Sequence, residues 1–181
     1  MPEEKPIPFS PPDITQAEID AVAAVMRSGW ITTGPRTKEF EKEIARYCGS
    51  PQALCLGSAT AGLELVLRLL EIGPGDEVIT TPCTYAATSN VILHTGARPV
   101  FVDVKPDSFL IDPEAVGRAV TRRTKAVIPV DYGGWPADYT EIRSALDAAK
   151  RTYRPRRGTL QSGFDRPVVL ADAAHSFGAK Y

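Results

Sequence analysis

The chain has 181 residues, of which 43% are hydrophobic and 24% are charged, and its formal net charge is −1. This length supports one hydrophobic core with a small appendage. The balanced charge argues against nucleic acid or an anionic membrane as a partner. No apolar run approaches the roughly 20 residues that a membrane-spanning helix needs. The polar start, Met1 to Pro6, is unlike a signal peptide.

Three cysteines, an odd number without CxxC spacing, predict small core residues in a reducing cytoplasmic compartment: Cys48, Cys55 and Cys83.

Two amphipathic helices are predicted at the start of the chain. Thr15 and Glu18 have the spacing of a capping box, and Gly29 is placed to end the first helix. The apolar side chains of this helix recur at helical spacing: Ile19, Val22, Val25 and Met26. A loop over 30–35 then leads to a second helix, whose apolar side chains are Phe40, Ile44 and Tyr47.

Strands and helices alternate through the remainder of the chain. The predicted strands cover 53–57, 77–81, 99–104, 125–130 and 167–171, and the predicted helices cover 59–72, 85–95, 113–121 and 138–150. Strands that are apolar throughout, separated by helices, are typical of a parallel sheet covered on both faces. We therefore predict an α/β fold with three layers, α/β/α, around a mostly parallel sheet of five strands.

One segment, residues 150–166, interrupts this alternation. It carries six basic residues against one acid, Asp165, and shows no periodicity. Two interpretations stay open for it: a solvated surface loop, or a contact with an anionic substrate or partner.

Polar side chains follow several of the predicted strands at their carboxyl ends. The small residues of 57–62 lie between a strand and a helix, where backbone N–H groups and the helix dipole favour a phosphate. Tyr85 follows strand 77–81, and Asp172 and His175 follow strand 167–171. The carboxyl ends of parallel strands are where open α/β sheets bind ligands. The pattern indicates a planar, phosphorylated cofactor.

Each of these residues also has an ordinary structural role open to it. Ser and Thr are common helix caps, Tyr85 could be a core or rim residue, Asp172 a turn residue and His175 a core imidazole. The glycine spacing matches neither a nucleotide P-loop nor a dinucleotide-binding motif.

The motifs along the chain resemble, in the same order, those of the DegT/DnrJ-type sugar aminotransferases. They are the stretches 57–65, 73–79, 96–103, 123–130 and Asp172-Ala-Ala-His175. This resemblance implies the aspartate-aminotransferase fold (type I), here as a fragment of its large domain, and pyridoxal 5′-phosphate as cofactor. Asp131-Tyr-Gly-Gly134 and the Asp172–His175 pair are most similar to members that aminate 4-keto nucleotide sugars.

The resemblance also implies roles for single residues. Ala59 and Thr60 would bind the cofactor phosphate, and Tyr85 would stack on the pyridine ring. Asp172 would keep the pyridine nitrogen protonated, and His175 would lie near the phenolic oxygen. No metal ligand is implied.

The implied activity is transfer of an amino group, with glutamate as the usual donor, to a keto nucleotide sugar. Such reactions serve cell-surface polysaccharide or secondary-metabolite sugar biosynthesis. A cytoplasmic homodimer is implied, with no nucleic-acid or membrane partner. The resemblance also implies a division of the chain into domains. Residues 1–36 would form an N-terminal helix and a substrate-side loop, and 37–181 a cofactor-binding domain that contains a basic insertion at 150–166.

The family's internal-aldimine lysine follows a further pair of strands, so we expect it beyond Tyr181; Lys180 is too close to His175. No catalytic residue is therefore assigned here, and the chain alone is expected to be inactive. The two further strands would lie between strand 53–57 and strand 167–171, leaving the first without a neighbour. Two alternatives stay open: a dehydratase of the same family with histidine in place of lysine, or a truncated, non-catalytic module that binds cofactor or a partner.

Overall fold

The computed structural model describes residues 11–180, which form two compact units that meet in sequence between Cys55 and Leu56. The polar N-terminal residues considered above, and Tyr181, lie outside the described residues.

The first unit contains two helices, α1 (Gln16–Ser28) and α2 (Pro35–Cys48). The predicted capping box of α1 is confirmed, since Thr15 and Glu18 bond reciprocally, and Gly29 ends the helix with φ of 73°. No side chain of α1 is buried, and Cys48 is exposed, so its predicted core position is wrong. All three cysteines are free.

The prediction of a strand over 53–57 is wrong, and with it the prediction of five strands. The Cys55 backbone N–H donates to Oε1 of Glu41 at 2.9 Å, and this side chain is 8% exposed. The segment 52–56 has no strand assignment among the described residues. A strand requires backbone hydrogen bonds to a neighbouring strand. Here the Cys55 N–H bonds to the Glu41 carboxylate of α2 instead. The two strands expected beside this segment are not among the described residues, so its backbone lacks the pairing that a strand needs.

The second unit is built around a four-stranded sheet. Its elements are α3 (Ala59–Leu69), β1 (Glu77–Thr80), α4 (Ala86–His94), β2 (Arg98–Phe101), α5 (Pro113–Ala119), β3 (Thr124–Ile128), α6 (Tyr139–Ala148) and β4 (Val168–Val169). Two short 3₁₀ helices cover Tyr132–Gly134 and Leu160–Gly163. The strand order is β2-β1-β3-β4 and every pair is parallel, which confirms the predicted sheet type.

Alternate strand residues face two separate cores, and this confirms the three layers. Val78 and Ala126 pack with α3 and α4 on one face, whereas Ile79 and Val127 pack with α5 and α6 on the other. The side-chain period of two in a strand produces this division. The sheet is thereby fixed from both sides, and its carboxyl edge is free to present loops.

The amino edge of the sheet holds a buried carboxylate. Glu77 is 1% exposed and accepts from Arg98 at 2.6 Å, from Arg123 at 2.7 and 2.9 Å, and from the Thr121 hydroxyl at 2.6 Å. Burial opposes ionisation of this carboxyl, but the three partners outweigh it and hold its pKa below the usual range. This cluster joins β1, β2 and the residue before β3.

The basic segment 150–166 is attached to the same edge. Arg156 pairs with Asp76 at 2.9 Å, and the Gln161 side chain, 1% exposed, donates to the Leu70 carbonyl at 2.7 Å. Lys125 donates to the Arg154 carbonyl, and burial lowers the pKa of this lysine. The interpretation as a solvated loop is therefore wrong at Tyr153, which is 4% exposed, and at Gln161.

Candidate active site

One pocket at the carboxyl edge of the sheet brings all five predicted site residues together. Its volume is about 270 Å³, near the lower end of small-molecule sites. The five residues are Ala59, Thr60, Tyr85, Asp172 and His175. They come from three different helix or strand ends, and the parallel sheet explains why residues 113 positions apart meet.

The start of α3 forms one wall of the pocket. Ser58 caps this helix, because its Oγ accepts from the Ala61 N–H at 3.1 Å. The first N–H groups of a helix have no partner within it and carry the positive end of its dipole. Ala59 and Thr60 occupy the first two positions and line the pocket. This arrangement suits an anion such as a phosphate.

One hydroxyl donates to the Asp172 carboxylate, and a second hydroxyl bonds to the first. Thr88 is fully buried and donates from Oγ1 to Oδ2 of Asp172 at 2.8 Å, and Thr84 lies 2.7 Å from the Thr88 hydroxyl. Asp172 itself is paired into the sheet, since its N–H donates to the Pro129 carbonyl at 2.9 Å. The backbone and one carboxylate oxygen are thus both fixed. Thr88 was not predicted, although it lies three residues after Tyr85 and faces the sheet from α4.

Tyr85 and His175 lie on the exposed side of the pocket. Tyr85 is 84% exposed and precedes α4, so it is not the core residue that the alternative interpretation offered. His175 is exposed as well, which excludes a core imidazole. Both rings are therefore available to a ligand rather than used in packing.

A second carboxylate, Asp131, lines the pocket from the end of β3. It is 4% exposed and accepts from the Ala137 N–H at 2.9 Å and from the hydroxyls of Tyr139 and Ser176, each at 2.6 Å. The sequence did show an acid directly after an apolar strand, the same signal that identified Asp172. Its contact with Ser176, 45 residues away, is not encoded locally, and the sequence assigned Asp131 no role.

These residues fit a flat ring that carries a phosphate and a basic nitrogen. The helix start accepts the anion, Asp172 offers a fixed carboxylate, and Tyr85 offers an aromatic face. No lysine is among the residues that line the pocket in the described range 11–180. Within that same range, no group of side chains could hold a metal ion, and no helix is long and apolar enough to cross a membrane.

Comparison with known proteins agrees with this class of site. Residues 12–152 match the model of the DegT/DnrJ/EryC1/StrS aminotransferase family. UDP-4-amino-4-deoxy-L-arabinose–oxoglutarate aminotransferase of Shewanella sediminis is 44% identical over 175 residues, which are 97% of this chain and 41% of that protein.

Solved structures lead to the same family. A putative sugar aminotransferase of Streptococcus pneumoniae, Spr1654, is 47% identical in its PLP-form and superposes with a TM-score of 0.91, covering 95% of this chain and 44% of that one. Its PMP-form superposes equally well. DesV of S. venezuelae, solved with a ketimine intermediate, is 37% identical with a TM-score of 0.75, over 89% of this chain and 40% of that one.

The chain has the type I fold of pyridoxal-phosphate aminotransferases, and the structures on which it superposes include PLP- and PMP-forms. The chain belongs to the DegT/DnrJ/EryC1/StrS aminotransferase family. It spans about two fifths of the length of the relatives it matches.

Proposed function

We propose that the protein carrying this chain transfers an amino group from glutamate to a keto nucleotide sugar, with pyridoxal phosphate as its cofactor. The observation that carries this proposal is the convergence of five residues from three sheet-edge segments on one pocket. The cofactor supplies an electron sink for the carbon that exchanges its amino group.

The proposed residue roles follow from the positions of the side chains. Ala59 and Thr60, at the start of α3, bind the phosphate through backbone N–H groups. Tyr85 stacks on the ring from the exposed side. Asp172, held by Thr88, keeps the ring nitrogen protonated, because an adjacent anion favours the charged form of a base. His175 would lie near the phenolic oxygen of the cofactor.

The proposed substrate is a 4-keto nucleotide sugar. The 44% identical relative is named for UDP-4-amino-4-deoxy-L-arabinose and oxoglutarate, which are the products of such a reaction with glutamate. We propose that the reaction serves cell-surface polysaccharide or secondary-metabolite sugar biosynthesis.

We further propose that the lysine attached to the cofactor in working enzymes of this class is supplied from outside the 181 residues. None of the described residues that line the pocket is a lysine. Transamination needs an amine that is linked to the cofactor. On this proposal the chain alone binds the cofactor and does not turn over.

The assembly and location are proposed on the same basis. We propose a cytoplasmic homodimer in which 1–36 forms the substrate side and 37–181 the cofactor-binding part, with 150–166 as a basic insertion. The exposed apolar side chains of α1, which include Ile19, Val22 and Met26, support an interface on this helix.

The test is the product formed by the full-length protein that carries this chain. Incubated with glutamate and a UDP-4-keto sugar, it should yield an amino sugar and an equal amount of 2-oxoglutarate, measured by mass spectrometry. A product that has lost water without gaining nitrogen would instead identify the dehydratase alternative. If no keto sugar gives a product, the result would support the third alternative, a non-catalytic module that binds cofactor or a partner.

Thr88→Val should weaken binding of pyridoxal phosphate to the chain about tenfold. Valine keeps the volume of threonine but removes the hydroxyl that donates to Asp172, and a hydrogen bond to a charged group contributes about 1.5–3 kcal/mol. Fluorescence titration of the cofactor measures the change. Ser89→Ala is the matched control, because this neighbouring hydroxyl donates to the Ala86 carbonyl within α4. Equal affinities for Thr88→Val and wild type would contradict the assigned role of Asp172.

A further inference from the structure

We propose that Asp131 is a positioning residue: it holds Ser176 and thereby fixes the turn that presents Asp172 and His175 to the pocket. This inference rests on the proposed function for its consequence, namely cofactor affinity. The geometry of the turn can be tested without the cofactor.

The backbone alone does not fix this turn. The Asp131 N–H donates to the Asp172 carbonyl at 3.0 Å, and Val130 and Asp172 form a parallel bridge. Asp172 is therefore the last described residue of this segment that pairs with the sheet. Residues 173–175 are exposed, and Ser176, at 9% exposure, is the next buried residue.

The two oxygens of the Asp131 carboxylate bind different parts of the unit. Oδ1 accepts from the Ala137 N–H and the Tyr139 hydroxyl, at the start of α6. Oδ2 accepts from the Ser176 hydroxyl at 2.6 Å. A hydrogen bond to an ionised group is stronger than one between neutral groups. Asp131 thus connects a rigid helix start to an otherwise exposed turn.

Two further contacts close the turn around this bond. The Ser176 N–H donates to the Ala173 carbonyl at 3.1 Å. Gly134 has φ of 87°, and a Cβ added to it would lie 3.2 Å from the His175 carbonyl oxygen. The backbone of His175 is therefore packed against the 3₁₀ helix that follows Asp131. Loss of the Ser176 bond would release the end of the turn and with it the direction of the imidazole.

The experiment compares two hydroxyl deletions on the same carboxylate. Ser176→Ala removes the bond to the turn, whereas Tyr139→Phe removes a bond to α6 and leaves the turn bonded. The chain has two histidines, His94 and His175, so NMR spectra of the 181-residue chain contain two sets of imidazole signals to assign. His94 lies at the far end of α4 and contacts Glu64 at 2.9 Å, which makes it an internal reference.

In the cofactor-free chain, Ser176→Ala should shift the His175 imidazole signals and leave those of His94 unchanged. Tyr139→Phe should shift neither. Pyridoxal phosphate should bind up to about tenfold more weakly to Ser176→Ala, because binding must then also order the turn, and with unchanged affinity to Tyr139→Phe. A purely structural Asp131 would give the two variants the same His175 signals and the same affinity, which would overturn the proposal.

Asp131→Asn supplies the conservative variant. Its Oδ1 still accepts from Ala137 and Tyr139, and its amide donates to the Ser176 oxygen. We expect wild-type His175 signals in Asp131→Asn and shifted signals in Asp131→Ala. Shifted signals in both would show that charge, not the hydrogen bond, sets the turn, and would refute the inference. A wild-type chain that binds no cofactor would refute the proposed function, but the His175 comparison would still decide the role of Asp131.

Discussion

Replacing Asp172 by Asn in the lysine-bearing protein should lower turnover about 10²- to 10³-fold, the range for removal of one preorganised electrostatic group. The amide keeps the shape of the side chain, and its oxygen can still accept from Thr88, so the pocket should keep its form. A neutral amide does not favour the protonated ring nitrogen as a carboxylate does. The measurement is steady-state amination of the keto sugar at saturating cofactor.

The matched control is Asp165→Asn. Asp165 carries the same charge at the opposite end of the last strand, where it pairs with Arg166 at 3.0 Å. This variant should retain wild-type turnover. Full activity in Asp172→Asn would show that the cofactor nitrogen lies elsewhere, whereas equal losses in both variants would indicate a general charge effect.

Replacing Glu77 by Gln should cost about 2–3 kcal/mol of unfolding free energy at neutral pH. A neutral amide in this buried position loses the charge that Arg98 and Arg123 share, and breaking a buried ion pair is strongly destabilising. Urea unfolding gives the value. Glu141→Gln is the control, because its pair with Lys105 is exposed and should contribute little.

The stability difference between wild type and Glu77→Gln should depend on pH. The pKa of Glu77 is lowered in the folded state, so its stabilising contribution is complete above the unfolded value of about 4.3 and is lost as the pH falls through the lower folded value. The difference between wild type and Glu77→Gln should therefore shrink below about pH 4. A difference that stays constant from pH 7 down to pH 3 would contradict an ionised Glu77 in the fold.

The sequence predicted the features that depend on local chemistry. The capping box at Thr15, the helix end at Gly29 and the alternation of strands and helices could be predicted, because each is encoded within a few residues. The convergence of the five proposed site residues on one pocket could be predicted because the ends of parallel strands meet at one edge of a sheet.

The features that the sequence did not reveal depend on long-range partners. The Cys55 N–H bonds to a carboxylate 14 residues away, so an apolar run became an unpaired segment. Gln161 is buried through its bond to Leu70, 91 residues away, and this contact anchors a segment whose composition is that of a solvated loop. Thr88 and Asp131 are likewise visible only through donors and acceptors brought together by the fold.

The most direct test of the account is a titration of the 181-residue chain with pyridoxal phosphate, followed by borohydride reduction and peptide mapping. We predict saturable binding of one equivalent, competed by inorganic phosphate, with reduced adducts only on lysines that phosphate does not protect. The reason is that the proposed phosphate site lies at Ala59 and Thr60, and that no lysine lines the pocket in the described residues. Absence of saturable binding, or an adduct on any lysine of the chain that phosphate does protect, would contradict it.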